Sequence, residues 1–152
     1  GGAITTSFSQ VGNAKDQFNV LNNEFINTTA SKNAGAIHFS SQMEINLNNN
    51  SFVNSSAGNN GGILYILKSG DRNGSISDNE FINGSAKNGG AIYVTGNNYN
   101  ISNNEFGNNN ATNYGGAIFT QKISNVSKKP HELTFISRLL ASLEKPVGAD
   151  ER

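Results

Sequence analysis

The chain contains no cysteine and no tryptophan, and only two prolines among its 152 residues. Without cysteine there is no disulfide framework, no thiolate zinc site and no cysteine nucleophile. Charge is scarce too. Eleven basic and 11 acidic side chains cancel, and together they make up 14% of the chain, where an average soluble domain carries ~25%. A chain without net charge lacks the field that draws nucleic acid or an anionic membrane surface. Its apolar runs are only a few residues long, too short to cross a bilayer as a helix. It does not begin with methionine and shows no secretory leader pattern, so it reads as a processed product or an excerpt.

What the chain has in excess is asparagine and glycine, 27 and 17 residues. Such a composition at 35% hydrophobic residues is compatible with disorder. Internal repetition decides otherwise. Gly1-Gly2-Ala3-Ile4 returns as Ala34-Gly35-Ala36-Ile37, Gly61-Gly62-Ile63-Leu64, Gly89-Gly90-Ala91-Ile92 and Gly115-Gly116-Ala117-Ile118. Between these lie Asn23-Glu24-Phe25-Ile26-Asn27, Asn50-Ser51-Phe52-Val53-Asn54, Asn79-Glu80-Phe81-Ile82-Asn83 and Asn104-Glu105-Phe106-Gly107-Asn108. The phenylalanines are 27, 29 and 25 residues apart. Val20, Leu47, Ile76 and Ile101 stand five residues before them, and Ala30, Ala57, Ala86 and Ala111 five residues after.

Each unit supplies three short apolar segments separated by turn residues. Glycine and asparagine oppose helix, and Ile37 with Phe39, Leu64 with Ile66 and Ile92 with Val94 alternate as strand residues do. One such unit cannot bury its apolar face alone, whereas stacked units can. The repeat predicts an all-β parallel β-helix, a solenoid of about four to five three-strand coils ~4.8 Å apart, over residues 1–121. Stacking turns columns into ladders. Phe25, Phe52, Phe81 and Phe106 form an aromatic stack, and Asn23, Asn50, Asn79 and Asn104 an amide ladder at a turn.

The pairing of Gly-Gly-Ala-Ile with the Phe-and-Asn block resembles the repeats of chlamydial polymorphic membrane proteins and of adhesin-like surface proteins of methanogenic archaea. The resemblance spans about residues 1–120. It implies a right-handed parallel β-helix at the cell surface. The chlamydial Phe-x-x-Asn spacing is met only by Phe106 and Asn109; elsewhere the asparagine follows at two residues, as in Phe81-Ile82-Asn83. This favours the archaeal or general bacterial adhesin-like type. The membrane-anchoring β-barrel typical of such families has no counterpart in this sequence.

Repeat length varies at a single corner. From the second glycine to the next aliphatic column the distance is 18, 12, 14 and 11 residues. Lys68, Asp71 and Arg72 belong to one such insertion, which is either a tolerated loop or a ligand contact. On the opposite parity of the first strand Thr5, His38, Tyr65, Tyr93 and Phe119 face outward. That row reads either as a glycan or protein contact stripe or as a ladder that protects the sheet. Glu24, Glu80 and Glu105, interrupted by Ser51, stack at an edge, where they are solvated or hold a cation such as Ca²⁺. Eight Asn-x-Ser/Thr sequons, at Asn27, Asn49, Asn54, Asn73, Asn83, Asn100, Asn110 and Asn125, suit a glycosylated surface protein. The two histidines, His38 and His131, lie in different segments, and no nucleophile elbow, phosphate loop or His-Glu-x-x-His motif occurs. No catalytic, cofactor or metal set is therefore expected, although some β-helices process polysaccharides.

Residues 122–152 follow other rules, with ten of the 22 charges, both prolines and a single asparagine. Pro130 suits a first helical turn, and Leu133, Ile136, Leu140 and Leu143 follow at helical spacing. They predict an amphipathic helix over about 131–145 that caps the solenoid, docks on another copy, or belongs to a fused appendage. Leu133-Thr134-Phe135-Ile136 is alternatively a last strand. The sequence-based expectation is a non-enzymatic extracellular or cell-surface structural and adhesion segment, without membrane insertion or nucleic-acid binding. Its partners would be a cell-surface glycan or protein, or itself. The rivals are a filament subunit stacking coil on coil and a polysaccharide-binding or depolymerising β-helix.

Overall fold

The computed structural model describes residues 1–7, 16–68, 73–96, 98–120 and 125–128, with 125–128 described as backbone alone. The helix expected over 131–145, with Leu133, Ile136, Leu140 and Leu143, lies outside them. Among the described residues every regular element is a strand. The first coil holds β1 (Ile4–Ser7), β2 (Gln17–Leu21), β3 (Glu24–Ile26) and β4 (Thr29–Ala30). The second holds β5 (Ile37–Ser41), β6 (Glu44–Asn48) and β7 (Ser51–Ala57). The third holds β8 (Leu64–Lys68), β9 (Gly74–Ser77) and β10 (Glu80–Asn88). The fourth holds β11 (Ile92–Thr95), β12 (Tyr99–Gly107) and β13 (Asn110–Tyr114), and β14 (Ile118–Thr120) and β15 (Asn125–Lys128) follow.

These strands stack as a parallel β-helix with three faces. The first face is β1-β5-β8-β11-β14, in coil order. The second is β2-β6-β9-β12-β15, and the third is β3-β7-β10-β12, with β4 on β7 and β13 on β10. Strand β12 runs through the corner and belongs to both of the last two faces. Every pair is parallel, and the register matches the repeat: Phe25, Phe52, Phe81 and Phe106 are neighbours in turn. So are Val20, Leu47, Ile76 and Ile101, and Val126 continues that column. The second face thus extends past residue 121, where the asparagine-rich composition ends.

Alternation places one parity of each strand in the core. Ile37, Phe39, Leu64, Ile66, Ile92 and Val94 come from the first face, and Ile45, Leu47, Ile76 and Ile101 from the second. Phe52 and Phe81 come from the third, and all are fully buried. The phenylalanine rings stack face to face at 4.8, 5.1 and 5.0 Å, within 15° of parallel. Burying a phenylalanine contributes ~1.5–3 kcal/mol, and stacking adds ~0.5–1.5 kcal/mol per pair. The core also holds Tyr99, in the column Ile45, Gly74, Tyr99. A Cβ on Gly74 would meet the Tyr99 ring at 2.5 Å, so the missing side chain makes room for the ring of the next coil.

Part of the asparagine excess is explained by two of the three left-handed backbone positions in each coil. Asn22, Asn49, Asp78 and Asn103 turn the chain from the second face to the third with φ of 60, 54, 56 and 56°. Asn27, Asn54, Asn83 and Asn108 bend the third face with φ of 56, 56, 55 and 53°. Short amide side chains tolerate this conformation because they bond locally. The corner into the first face uses Ala34, Gly61, Gly89 and Gly115, with φ of 60, 61, 63 and 65°. Ala34 departs from the column. A left-handed alanine is disfavoured by ~1–2 kcal/mol, whereas deleting its buried methyl costs ~0.8 kcal/mol. Ala34→Gly is therefore expected to raise stability by a net ~0.5 kcal/mol in urea unfolding. A lowered midpoint would show that the methyl's packing outweighs the backbone strain.

Candidate functional site

Two features run along the outside of the coil: the aromatic row of the first face and a groove at the corner between the second and third faces. In the row, Thr5, His38, Tyr65, Tyr93 and Phe119 are register partners in sequence. His38 meets Tyr65 edge-on at 5.0 Å, Tyr65 lies 5.1 Å from Tyr93, and Tyr93 stacks on Phe119 at 5.0 Å. Tyr114 packs against Phe119 at 6.1 Å. All four row rings are half-buried. Only Tyr93 and Phe119 lie face to face, while Tyr65 is tilted by 35° on Tyr93 and His38 stands edge-on to Tyr65. A sugar stacks on a ring face, and the faces that Tyr93 and Phe119 turn to each other are not free for one.

Burial sets the electrostatics of the row. It pushes the His38 imidazole below its usual range, so the ring is neutral at pH 7. Burial, and then the neighbouring Tyr93, pushes the Tyr65 phenol up, and burial raises Tyr99 further still. Above pH ~10 the unfolded chain releases phenolic protons that the folded chain keeps, so stability falls as pH rises. Below that range the contribution is complete. Urea titrations at increasing alkaline pH are expected to show this decline, and Tyr99→Phe to flatten it. An equal decline in that variant would remove Tyr99 from the account.

The groove has a volume of about 570 Å³ and is lined by side-chain amides and carboxylates. Asn22, Asn49, Asp78 and Asn103 form one wall, and Glu24, Ser51, Glu80 and Glu105 the other. The floor is the expected ladder. The main-chain N–H and Nδ2 of Asn23, Asn50 and Asn79 both donate to Oδ1 of the next asparagine, over 2.9–3.3 Å. Nδ2 of Asn50, Asn79 and Asn104 also donates to the carbonyls of Val20, Leu47 and Ile76. The ladder is buried from Asn50 to Asn104, while Asn23 at its end is exposed. The bonds to Oδ1 point toward the following coil and those to the carbonyls point back to the preceding one.

The glutamate column stacks as expected. Glu24, Glu80 and Glu105 are exposed, and Ser51 donates to Glu80 Oε2 at 2.9 Å. Among the described residues no three His, Cys, Asp or Glu side chains converge to hold a metal ion. Asp71 and Arg72 lie outside the described residues, and of Lys68 only the backbone belongs to them, at the end of β8.

Sequence reasoning missed further amide rows. Asn49 Nδ2 donates to Asn22 Oδ1 at 2.7 Å. Asn54 donates to Asn27 at 3.2 Å and Asn83 to Asn54 at 2.8 Å. Asn60 donates to Asn33 at 3.2 Å and Asn88 to Asn60 at 2.8 Å. The signal was present: an Asn or Asp precedes each ladder asparagine, and an Asn follows each Phe at two residues. The groove therefore offers donors and acceptors at the pitch of the coil on a backbone fixed by hydrogen bonds on both sides, a surface suited to a chain of hydroxyls. No protein-family model, no curated protein and no solved structure matches this chain.

Proposed function

We propose that the chain is a non-enzymatic structural and adhesion segment of an extracellular or cell-surface protein of the adhesin-like type that its repeats resemble. One observation carries the reading: the asparagine ladder and the phenylalanine stack run unbroken through all four coils. An axis held by repeated hydrogen bonds and stacked rings resists bending, stretching and proteolysis, which is what a surface stalk requires. The sequons and the resemblance support the cell-surface setting. The groove supports a second reading, in which an extended polysaccharide lies along the corner against amides and carboxylates.

Both readings are tested by displaying the chain on beads, exposing it to a non-specific protease, and probing it with a glycan array. Slow proteolysis of the repeat region together with adhesion to cells or glycans is expected. Binding that is lost in Glu80→Gln combined with Asn49→Ala would assign it to the groove. Hydrolysis of any glycan on the array, or digestion at the rate of an unfolded chain, would sink the structural reading.

A further inference from the structure

Four Asn-Gly bonds occur in the chain: Asn60-Gly61, Asn73-Gly74, Asn83-Gly84 and Asn88-Gly89. A glycine after asparagine leaves its main-chain nitrogen unhindered, so this nitrogen can attack the asparagine side chain. In the coil all four nitrogens are engaged. Gly61, Gly74 and Gly89 donate to main-chain carbonyls of the next coil, those of Asn88, Asn98 and Tyr114, at 2.8–2.9 Å. Gly84 is different. Its N–H is held by a side chain, Asn109 Oδ1, at 2.7 Å. Asn109 Nδ2 is tied back to the Phe81 carbonyl at 2.8 Å.

The column explains why. In the first two coils Thr28 and Ser55 fill this inward position and bond to each other at 2.7 Å. Ser55 is register partner to Gly84, which has no side chain to offer. Asn109, the residue Phe-x-x-Asn spacing picks out, folds into that space. A Cβ on Gly84 would lie 2.8 Å from Asn109 Oδ1.

We infer that Asn83-Gly84 is a latent self-modification site, a succinimide-forming bond held closed by the side chain of Asn109. When Asn109 withdraws, the Gly84 nitrogen attacks Asn83 Cγ. A C–N bond forms, the Cγ–Nδ2 bond breaks, and Nδ2 leaves as ammonia carrying the proton lost by Gly84. Water then opens the ring to aspartate or isoaspartate. Either product breaks the outer row, where Asn83 Nδ2 donates to Asn54 Oδ1. Aspartate faces that oxygen with another acceptor, and isoaspartate adds a carbon to the main chain. Opening of the fourth coil is thereby recorded as an irreversible mark on the third.

The test is timed peptide mass mapping of the full chain in mildly alkaline buffer, folded and in denaturant. Asn83 is expected to convert at least about tenfold more slowly in the folded chain, the factor that one net hydrogen bond supports. Asn109→Ala is expected to restore about that factor at Asn83 while Asn60 and Asn88 stay protected. Equal rates at Asn83 in the folded and denatured wild-type chain overturn the inference, as does an unchanged rate in Asn109→Ala. If Asn60 and Asn88 accelerate as well, that variant has unfolded and Asn109→Asp decides, because it keeps the acceptor oxygen. Continued protection of Asn83 there supports the inference, and its selective loss overturns it.

Discussion

Gly90→Ala is expected to destabilise the repeat by ~3 kcal/mol or more, above the usual range for one added methyl. The second glycine of each pair sits where the first face closes against the end of the third. A Cβ on Gly90 would overlap the carbonyl oxygen of Gly116 and lie 2.6 Å from both the main-chain nitrogen and oxygen of Asn110. These are backbone atoms of the next coil, themselves fixed in ladders, so nothing flexible can yield. The coils would have to separate locally, breaking bonds such as Gly90 N–H to Gly115 O at 3.0 Å. Gly107→Ala is the matched control. It stands in the outward column of Ile26, Val53 and Ile82. Among the described residues the sole neighbour a Cβ there would meet is Cδ1 at the end of the Ile82 side chain, at 2.7 Å. Its effect is expected within ~0.5 kcal/mol. Urea unfolding of both variants checks the pair, and similar midpoints would refute the close-approach explanation.

Asn79→Ala is expected to be nearly as damaging, by ~3–5 kcal/mol, and Asn23→Ala to cost under ~1 kcal/mol. The two residues occupy the same column of the repeat. Asn79 is buried, accepts from the N–H and Nδ2 of Asn50 at 2.9 Å, and donates to the Leu47 carbonyl and Asn104 Oδ1 at 3.0 Å. Truncation strands donors and an acceptor where water does not reach, each at ~1–3 kcal/mol. Asn23 is exposed and makes the Leu21 and Asn50 contacts at the open end of the ladder, where water replaces them. Thermal or urea unfolding of the two variants measures the difference. Equal losses would mean that the ladder's contribution does not come from burial.

Much of this architecture was legible because the repeat writes it several times over. Alternation at Ile37 and Phe39, the recurring Phe, and the Asn two residues before it each follow from local rules of strand and turn. The register found between Phe25, Phe52, Phe81 and Phe106 is the one that the spacing implied. The outer aromatics were legible as a row but not as surfaces. Only the ring separations near 5 Å show that each ring packs against the next, edge-on at His38 and face to face at Phe119. The groove was legible only in its parts, the ladder and the glutamate column, since its depth depends on how sharply the left-handed corner turns.

The sequence by itself determined the coil: a unit too short of apolar surface to stand alone, repeated in register, with glycine or a short amide at each sharp turn. Those properties depend on residues close together in the chain, and composition and spacing report them directly. Only the tertiary structure decided what happens between coils. It placed Tyr99 over Gly74 and folded Asn109 onto Gly84. In each case one coil compensates for what its neighbour lacks. That relation is set by contact across the ~4.8 Å stacking distance, between residues 25–30 positions apart, and no local pattern encodes it.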